Sequence, residues 1–168
     1  MRPPTDLRAQ MRPFRPQGSS SQGNNPNSSG NLTNFITLDL SNSGFLSCFP
    51  PTLGYLSNLA SLDLRYNNLN GTMPSTLCDL TNLSILDISL NLQIEGFIPI
   101  DIENLKSLVG FDCSYNHLSG PIPPTLGGLT KLEYLYGASN RIDGSIPPEI
   151  VYLKSLKVLN LQSNCLVE

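Results

Sequence analysis

The chain has 168 residues, is 39% hydrophobic and only 14% charged, and carries a net charge of −3 with one histidine. The charge is uneven: residues 1–31 hold four arginines against one aspartate, so the remainder carries −6. An acidic body without a basic stripe argues against nucleic-acid binding, and there is no run of about 18 apolar residues to span a membrane.

Residues 1–31 are rich in Pro, Arg, Ser, Asn and Gly, and Gln17–Gly30 has no periodicity. Such composition predicts a disordered tail. It lacks the apolar core of a secretory signal.

Residues 32–168 repeat. Phe35, Leu59, Leu83, Leu108, Leu132 and Leu156 stand at steps of 24, 24, 25, 24 and 24 residues, giving five full copies and a truncated sixth. A period in this range predicts a stacked solenoid. One unit buries too little to offset the ordering of its backbone, so stability must come from stacking neighbours. Leu32-Thr33-Asn34 matches Leu80-Thr81-Asn82, the end of a unit, and the sixth copy stops at Glu168. Both ends therefore read as uncapped, as in a piece of a longer parent protein.

The clearest copy is Leu59–Asn82. Leu59-x-x-Leu62-x-Leu64 predicts one short strand with Leu62 and Leu64 inward. Asn67 follows at the strand exit, where a short amide can pair buried turn backbone. Asn91, Asn116, Asn140 and Asn164 repeat it and predict an internal ladder. Gly71, matched by Gly96, Gly120 and Gly144, permits positive φ. Pro74, matched by Pro50, Pro99, Pro123 and Pro147, stiffens the return. Leu77 and Leu80 then cover the core from a helical or 3₁₀ turn.

Departures from the pattern are local. In the first copy Ser43 replaces the ladder Asn and Ser47 the Gly. The third copy has one extra residue around Gln93-Ile94-Glu95, read as a bulge on the turn. Gly137 stands where Leu64 would be, next to Cys113, so a small cavity or closer neighbours are both expected outcomes.

The unit resembles the plant-specific subtype of the leucine-rich repeat. Leu118-Ser119-Gly120-Pro121-Ile122-Pro123 with Thr125-Leu126-Gly127-Gly128-Leu129, and Leu83 through Asn91, carry the likeness. It implies an α/β repeat fold: a right-handed solenoid with parallel strands on the concave face and irregular or 3₁₀ turns on the convex side. It also implies a setting, the extracellular part of plant receptor-like kinases, receptor-like proteins or polygalacturonase-inhibiting proteins. The implied partner is a peptide or protein ligand, a co-receptor or a cell-wall polysaccharide. An inhibitor of a secreted wall-degrading enzyme and a non-functional gene fragment stand as alternatives. The paired cysteines that flank such repeats are missing.

No catalytic motif, metal site or cofactor is expected. His117, the single histidine, falls on an expected exposed turn, and Cys48, Cys78, Cys113 and Cys165 share no zinc spacing and no evident disulfide pair. Cys113 takes a core position and should be a buried small hydrophobe.

The outward strand position reads Asp39, Asp63, Asp87, Asp112, Tyr136, Asn160. Two readings stand: a strip for cations or basic peptides, or a common repeat residue hydrogen-bonded locally. Carboxylates stacked at ~4.8 Å would raise some of one another's pKa values. Tyr66, Tyr115, Tyr134 and Tyr136, with Arg65 and Leu90, fall on the same expected face as a candidate hot-spot patch. Asn27, Asn31, Asn70 and Asn82 open N-x-[ST] sequons, meaningful only in a secreted protein.

Overall fold

The computed structural model describes residues 35–168. The expected tail and the sequons at Asn27 and Asn31 lie outside the described residues.

In chain order the strands are β1 (Thr37–Asp39), β2 (Ser61–Asp63), β3 (Asn70–Thr72), β4 (Ile85–Asp87), β5 (Gln93–Gly96), β6 (Gly110–Asp112), β7 (His117–Pro121), β8 (Tyr134–Tyr136), β9 (Arg141–Gly144), β10 (Val158–Asn160) and β11 (Cys165–Leu166). The six-stranded sheet, in the order β1-β2-β4-β6-β8-β10, forms the concave face of the solenoid. A five-stranded sheet, β11-β9-β7-β5-β3, flanks it. All pairings are parallel, and the concave sheet aligns like positions of successive copies: Leu38, Leu62, Leu86, Phe111, Leu135 and Leu159 form one row.

The flanking sheet adds a strand per repeat to the one the periodicity reveals. Its glycines serve the expected purpose, but within strands: Gly71, Gly96, Gly120 and Gly144 hold φ of +74°, +78°, +69° and +70°. His117 opens β7 rather than lying on a turn, and is exposed.

The core is the stack of inward positions. Leu59, Leu62, Leu64, Leu69, Leu77 and Leu80 are fully buried, and Met73 nearly so. Behind them lie 3₁₀ turns at Pro51–Tyr55, Ser75–Asp79, Ile100–Asn104, Pro124–Gly128 and Pro148–Tyr152. Each is preceded by one of the repeated prolines, whose carbonyl accepts the N–H three residues on, as from Leu77 to Pro74 (3.0 Å) and Leu126 to Pro123 (2.9 Å). Proline is tolerated there because its own missing N–H lies outside the turn.

The asparagine ladder forms as the spacing predicts. Asn91 Nδ2 donates to Leu64 O of the preceding copy (3.1 Å) and Ile88 O of its own (2.9 Å), while its Oδ1 accepts Leu69 N–H (3.0 Å). Asn140 and Asn164 repeat this pattern with Leu118 and Ile142 as donors. A buried amide thus pairs backbone that a turn would otherwise leave unsatisfied.

The departures have separate outcomes. Ser43 Oγ turns to Ser41 O, and Asn67 Oδ1 accepts both Ser43 and Phe45 N–H from the second copy. Positive φ in the first copy falls on Gly44 (+65°) instead of Ser47. Phe35, aligned with the fully buried Leu59, is 43% exposed. The extra residue of the third copy resolves to Leu92, at φ +54° and exposed; among the other described copies the equivalent place is left-handed at Gly44 of the first, where glycine bears no strain. At Gly137 the neighbours close in: a Cβ there would lie 3.1 Å from Leu161 Cδ2 and 3.7 Å from Cys113 Sγ.

Candidate ligand-binding face

The concave sheet presents its odd positions outward because its short strands bury the middle residue. Asp39, Asp63, Asp87, Asp112, Tyr136 and Asn160 are register partners across the six strands. They form one continuous row, as the repeat alignment requires.

Each acid of the row has a local structural role. Oδ1 of Asp39, Asp63, Asp87 and Asp112 accepts the N–H two residues on, from Ser41, Arg65, Ser89 and Ser114, at 3.0, 3.1, 2.9 and 2.9 Å. Asn160 does the same for Gln162 (3.2 Å). The carboxylate therefore closes the strand exit with one oxygen and leaves the other for the surface. The two readings of this row are compatible, since they use different oxygens.

Electrostatics differ along the row. Arg65 Nε lies 3.2 Å from Asp63 Oδ2, and its Nη1 lies 3.8 Å from Asp87 Oδ2. Burial raises the pKa of Asp63 and Asp112, with the neighbouring Asp87 charge a lesser cause. Asp39, at the exposed end, goes the other way because the Ser41 N–H stabilises its charge. Desolvation thus outweighs like-charge repulsion, which the spacing alone suggests as the cause.

The tyrosines divide into two groups. Tyr134 and Tyr136 lie in β8 and are half-buried. Lys157 Nζ stands 5.9 Å from the Tyr134 ring centroid and 2.7 Å from Glu133 Oε2. Tyr66 and Tyr115 lie past the strand, at φ +55° each, with Leu90 at +57° between them in the stack. They are 59% and 47% exposed. The same position holds Asn42, Ser139 and Ser163, also left-handed. This turn requires a conformation that costs a bulky residue about 1–2 kcal/mol; the leucine-and-asparagine pattern gives no sign of it.

The residues that sequence reasoning missed are Gly110 and Ile85. They share the first outward row with Ser61 and Tyr134. Gly110 leaves a depression of about 240 Å³, bordered by Ile85, Tyr134, Tyr136, Asp87 and Asp112. A glycine at an outward strand position between two large side chains is the signal that could have found it.

Of the two described sequons, Asn70 is half-buried in β3 and accepts Cys48 Sγ–H (3.1 Å), while Asn82 is exposed and donates to Ser57 O (2.9 Å). All four cysteines are free, Cys78 and Cys113 buried and Cys48 and Cys165 exposed. Among the described residues no three His, Cys, Asp or Glu side chains are grouped to hold a metal, and no helix is long and apolar enough to cross a membrane.

Comparison with known proteins follows the same lines. The Leucine Rich Repeat family model matches residues 58–80 and 107–129. No curated protein matches the sequence. The crystal structure of PEPR1–AtPEP1 is similar at 43% identity and TM-score 0.78, over 81% of this chain and 19% of that one. The Arabidopsis receptor kinase HAESA, solved with the peptide hormone IDA and the co-receptor SERK1, is 37% identical at TM-score 0.77, over 81% of this chain and 22% of that one. The ectodomain of the receptor kinase SOBIR1 from Arabidopsis thaliana is 31% identical at TM-score 0.70, over 77% of this chain and 71% of that one. The chain thus spans about a fifth of the first two proteins and more than two thirds of the third.

Proposed function

Since the chain belongs to the leucine-rich repeat family and has the fold of plant receptor-kinase ectodomains, we propose that it is a non-catalytic binding module whose concave sheet recognises a peptide or protein. One observation carries this reading. Consecutive strands present the Asp63–Asp87–Asp112 row, Tyr134 and Tyr136, joined by Arg65 just past β2, on a contiguous surface that the core does not need. Tyr and Arg are the side chains that most often anchor interfaces. The left-handed Tyr66 and Tyr115 extend that surface past the strand ends, and strain retained at exposed residues points to use.

The peptide hormone named with HAESA supports a peptide as the first class of partner, and the SERK1 co-receptor supports a second protein on the same scaffold. Receptor ectodomains as structural relatives support an extracellular location. In that setting the exposed Asn82 is a better glycan acceptor than Asn70, whose side chain is half-covered and tied to Cys48.

The test uses the 168-residue protein and a pool of random heptapeptides. Saturable binders are expected, and Tyr115→Ala or Tyr136→Ala should each weaken them by about tenfold at an unchanged melting temperature. Binders indifferent to both substitutions would place recognition elsewhere.

A further inference from the structure

We propose that the depression over Gly110 receives one basic side chain, arginine or lysine, from an extended peptide lying on the concave sheet; this rests on the binding reading above and specifies it. Gly110 stands between Ile85 and Tyr134 in the outward row. With strands at ~4.8 Å, the flanking side chains are ~9–10 Å apart at their bases, and the depression that runs from this gap to Asp87, Asp112 and Tyr136 holds about 240 Å³. An ideal Cβ on Gly110 would come 3.1 Å from Ile85 Cδ1, so Ile85 already leans over the gap.

The walls and the end of this depression differ in kind. Ile85 and Tyr134 border it from either side of Gly110 in the row and supply apolar surface, with Lys157 Nζ 5.9 Å from the Tyr134 ring centroid. Asp87 and Asp112 stand at one end, with Tyr136 beyond. Asp87 is shared with Arg65 at 3.8 Å. Asp112 makes no ion pair among the described residues; Ser114 holds its carboxylate through the N–H on Oδ1 and through the hydroxyl, and its charge is left for a cationic ligand.

A side chain that fits needs an apolar stem and a cationic tip. The stem would lie against Ile85 and the Tyr134 face, and the tip would reach Asp112 as a charge-assisted hydrogen bond. A purely apolar side chain would fill the gap and leave Asp112 partly desolvated without a partner. An acidic one would meet the charges of Asp87 and Asp112. The body of the chain, at −6 outside residues 1–31, favours the same sign of ligand.

The experiment offers the 168-residue protein a positional-scanning library of end-blocked hexapeptides, each position fixed in turn as Arg, Lys, norleucine or Glu. Arg and Lys should be enriched at one position. For the best Arg peptide, Asp112→Asn should lower affinity about tenfold, as expected for loss of a charge-assisted bond, and leave the matched norleucine peptide unchanged. The variant keeps Oδ1 for Ser114 N–H. Gly110→Val should weaken both peptides by filling the depression. Norleucine ranking with Arg, or an Arg peptide indifferent to Gly110→Val, would overturn the proposal. If such peptides still respond to Tyr115→Ala, outside the depression, concave-face binding stands while the Gly110 assignment falls. A library with no binder overturns both.

Discussion

Leu92 and Asn116 stand at the same break in the stack: the third copy carries its extra residue at Leu92, and Asn116 Oδ1 in the next copy is buried with no hydrogen-bond donor among the described residues. Elsewhere the ladder oxygen accepts the N–H of the residue 22 positions earlier, as Asn91 does from Leu69 and Asn140 from Leu118. For Asn116 that donor would be Ile94. The extra residue lies between Asn91 and Ile94, and Ile94 N–H makes no such bond, while Asn116 Nδ2 keeps its three acceptors at Ile88, Cys113 and Ser114. A buried unpaired acceptor costs about 1–3 kcal/mol, and the left-handed leucine adds about 1 kcal/mol.

Deleting Leu92 restores the 24-residue step and should bring Ile94 N–H back to Asn116. A gain of about 1–3 kcal/mol is expected in urea unfolding, with the slope unchanged. A loss of stability would show that Leu92 serves the stack in place.

The repeat, its ladder and its turns were legible because each rests on a residue with one physical solution: a buried amide at Asn67, a proline at Pro74, a glycine at Gly71. The flanking sheet was not, because β3 and its equivalents have no hydrophobic alternation; Asn70–Thr72 carries no apolar side chain to mark it as a strand. At the candidate face, the Asp row followed from the period. The left-handed turn at Tyr66 and Tyr115 recurs in every copy whatever residue holds it, so no residue type marks it; the opening over Gly110 depends on geometry between copies, which one copy read alone does not encode. Asp row and tyrosines were legible as positions, not as functions.

Gly137 offers a second gain. No positive φ constrains it, and the nearest atom to an added Cβ is the end of Leu161, a side chain that is itself partly exposed and can shift. Gly137→Ala should stabilise by about 0.4–1 kcal/mol, chiefly by restricting the unfolded chain. Calorimetry should show a higher melting temperature; a lower one would mean that Leu161 cannot yield.

Tyr115→Asn separates conformation from recognition. The same turn position carries Asn42 at φ +48°, and asparagine accepts left-handed backbone more readily than tyrosine. The variant should gain up to about 1 kcal/mol in stability while losing affinity for peptides selected on the native protein. Gain without loss of affinity would make Tyr115 an incidental surface residue.

The cysteines should react in two classes. Burial pushes the Cys78 thiol up to about 12, helped by Asp101 and Asp79, and raises that of Cys113 further. Thiolate is the reacting form, so native protein pulsed with iodoacetamide should gain two labels, at Cys48 and Cys165. Cys78 and Cys113 should be labelled only in denaturant. Four labels on native protein, read by intact mass, would contradict the buried pair.

The charge of Asp112 should oppose folding at neutral pH. Burial raises its folded-state pKa above the ordinary 3.8 that the unfolded chain retains. Above the raised value the folded protein holds a carboxylate it desolvates, and the cost vanishes as pH falls through that value toward 3.8. Asp39 has the opposite sign: its lowered pKa gives stability present above 3.8 and lost below it. Asp112→Asn keeps an oxygen for the Ser114 N–H and removes the charge. Its melting temperature should exceed that of the native chain at pH ~7, and the two should converge on acidification, whereas Asp39→Asn should fall below the native chain at neutral pH. A constant offset for Asp112→Asn across the titration would show that packing, rather than the desolvated charge, sets the difference.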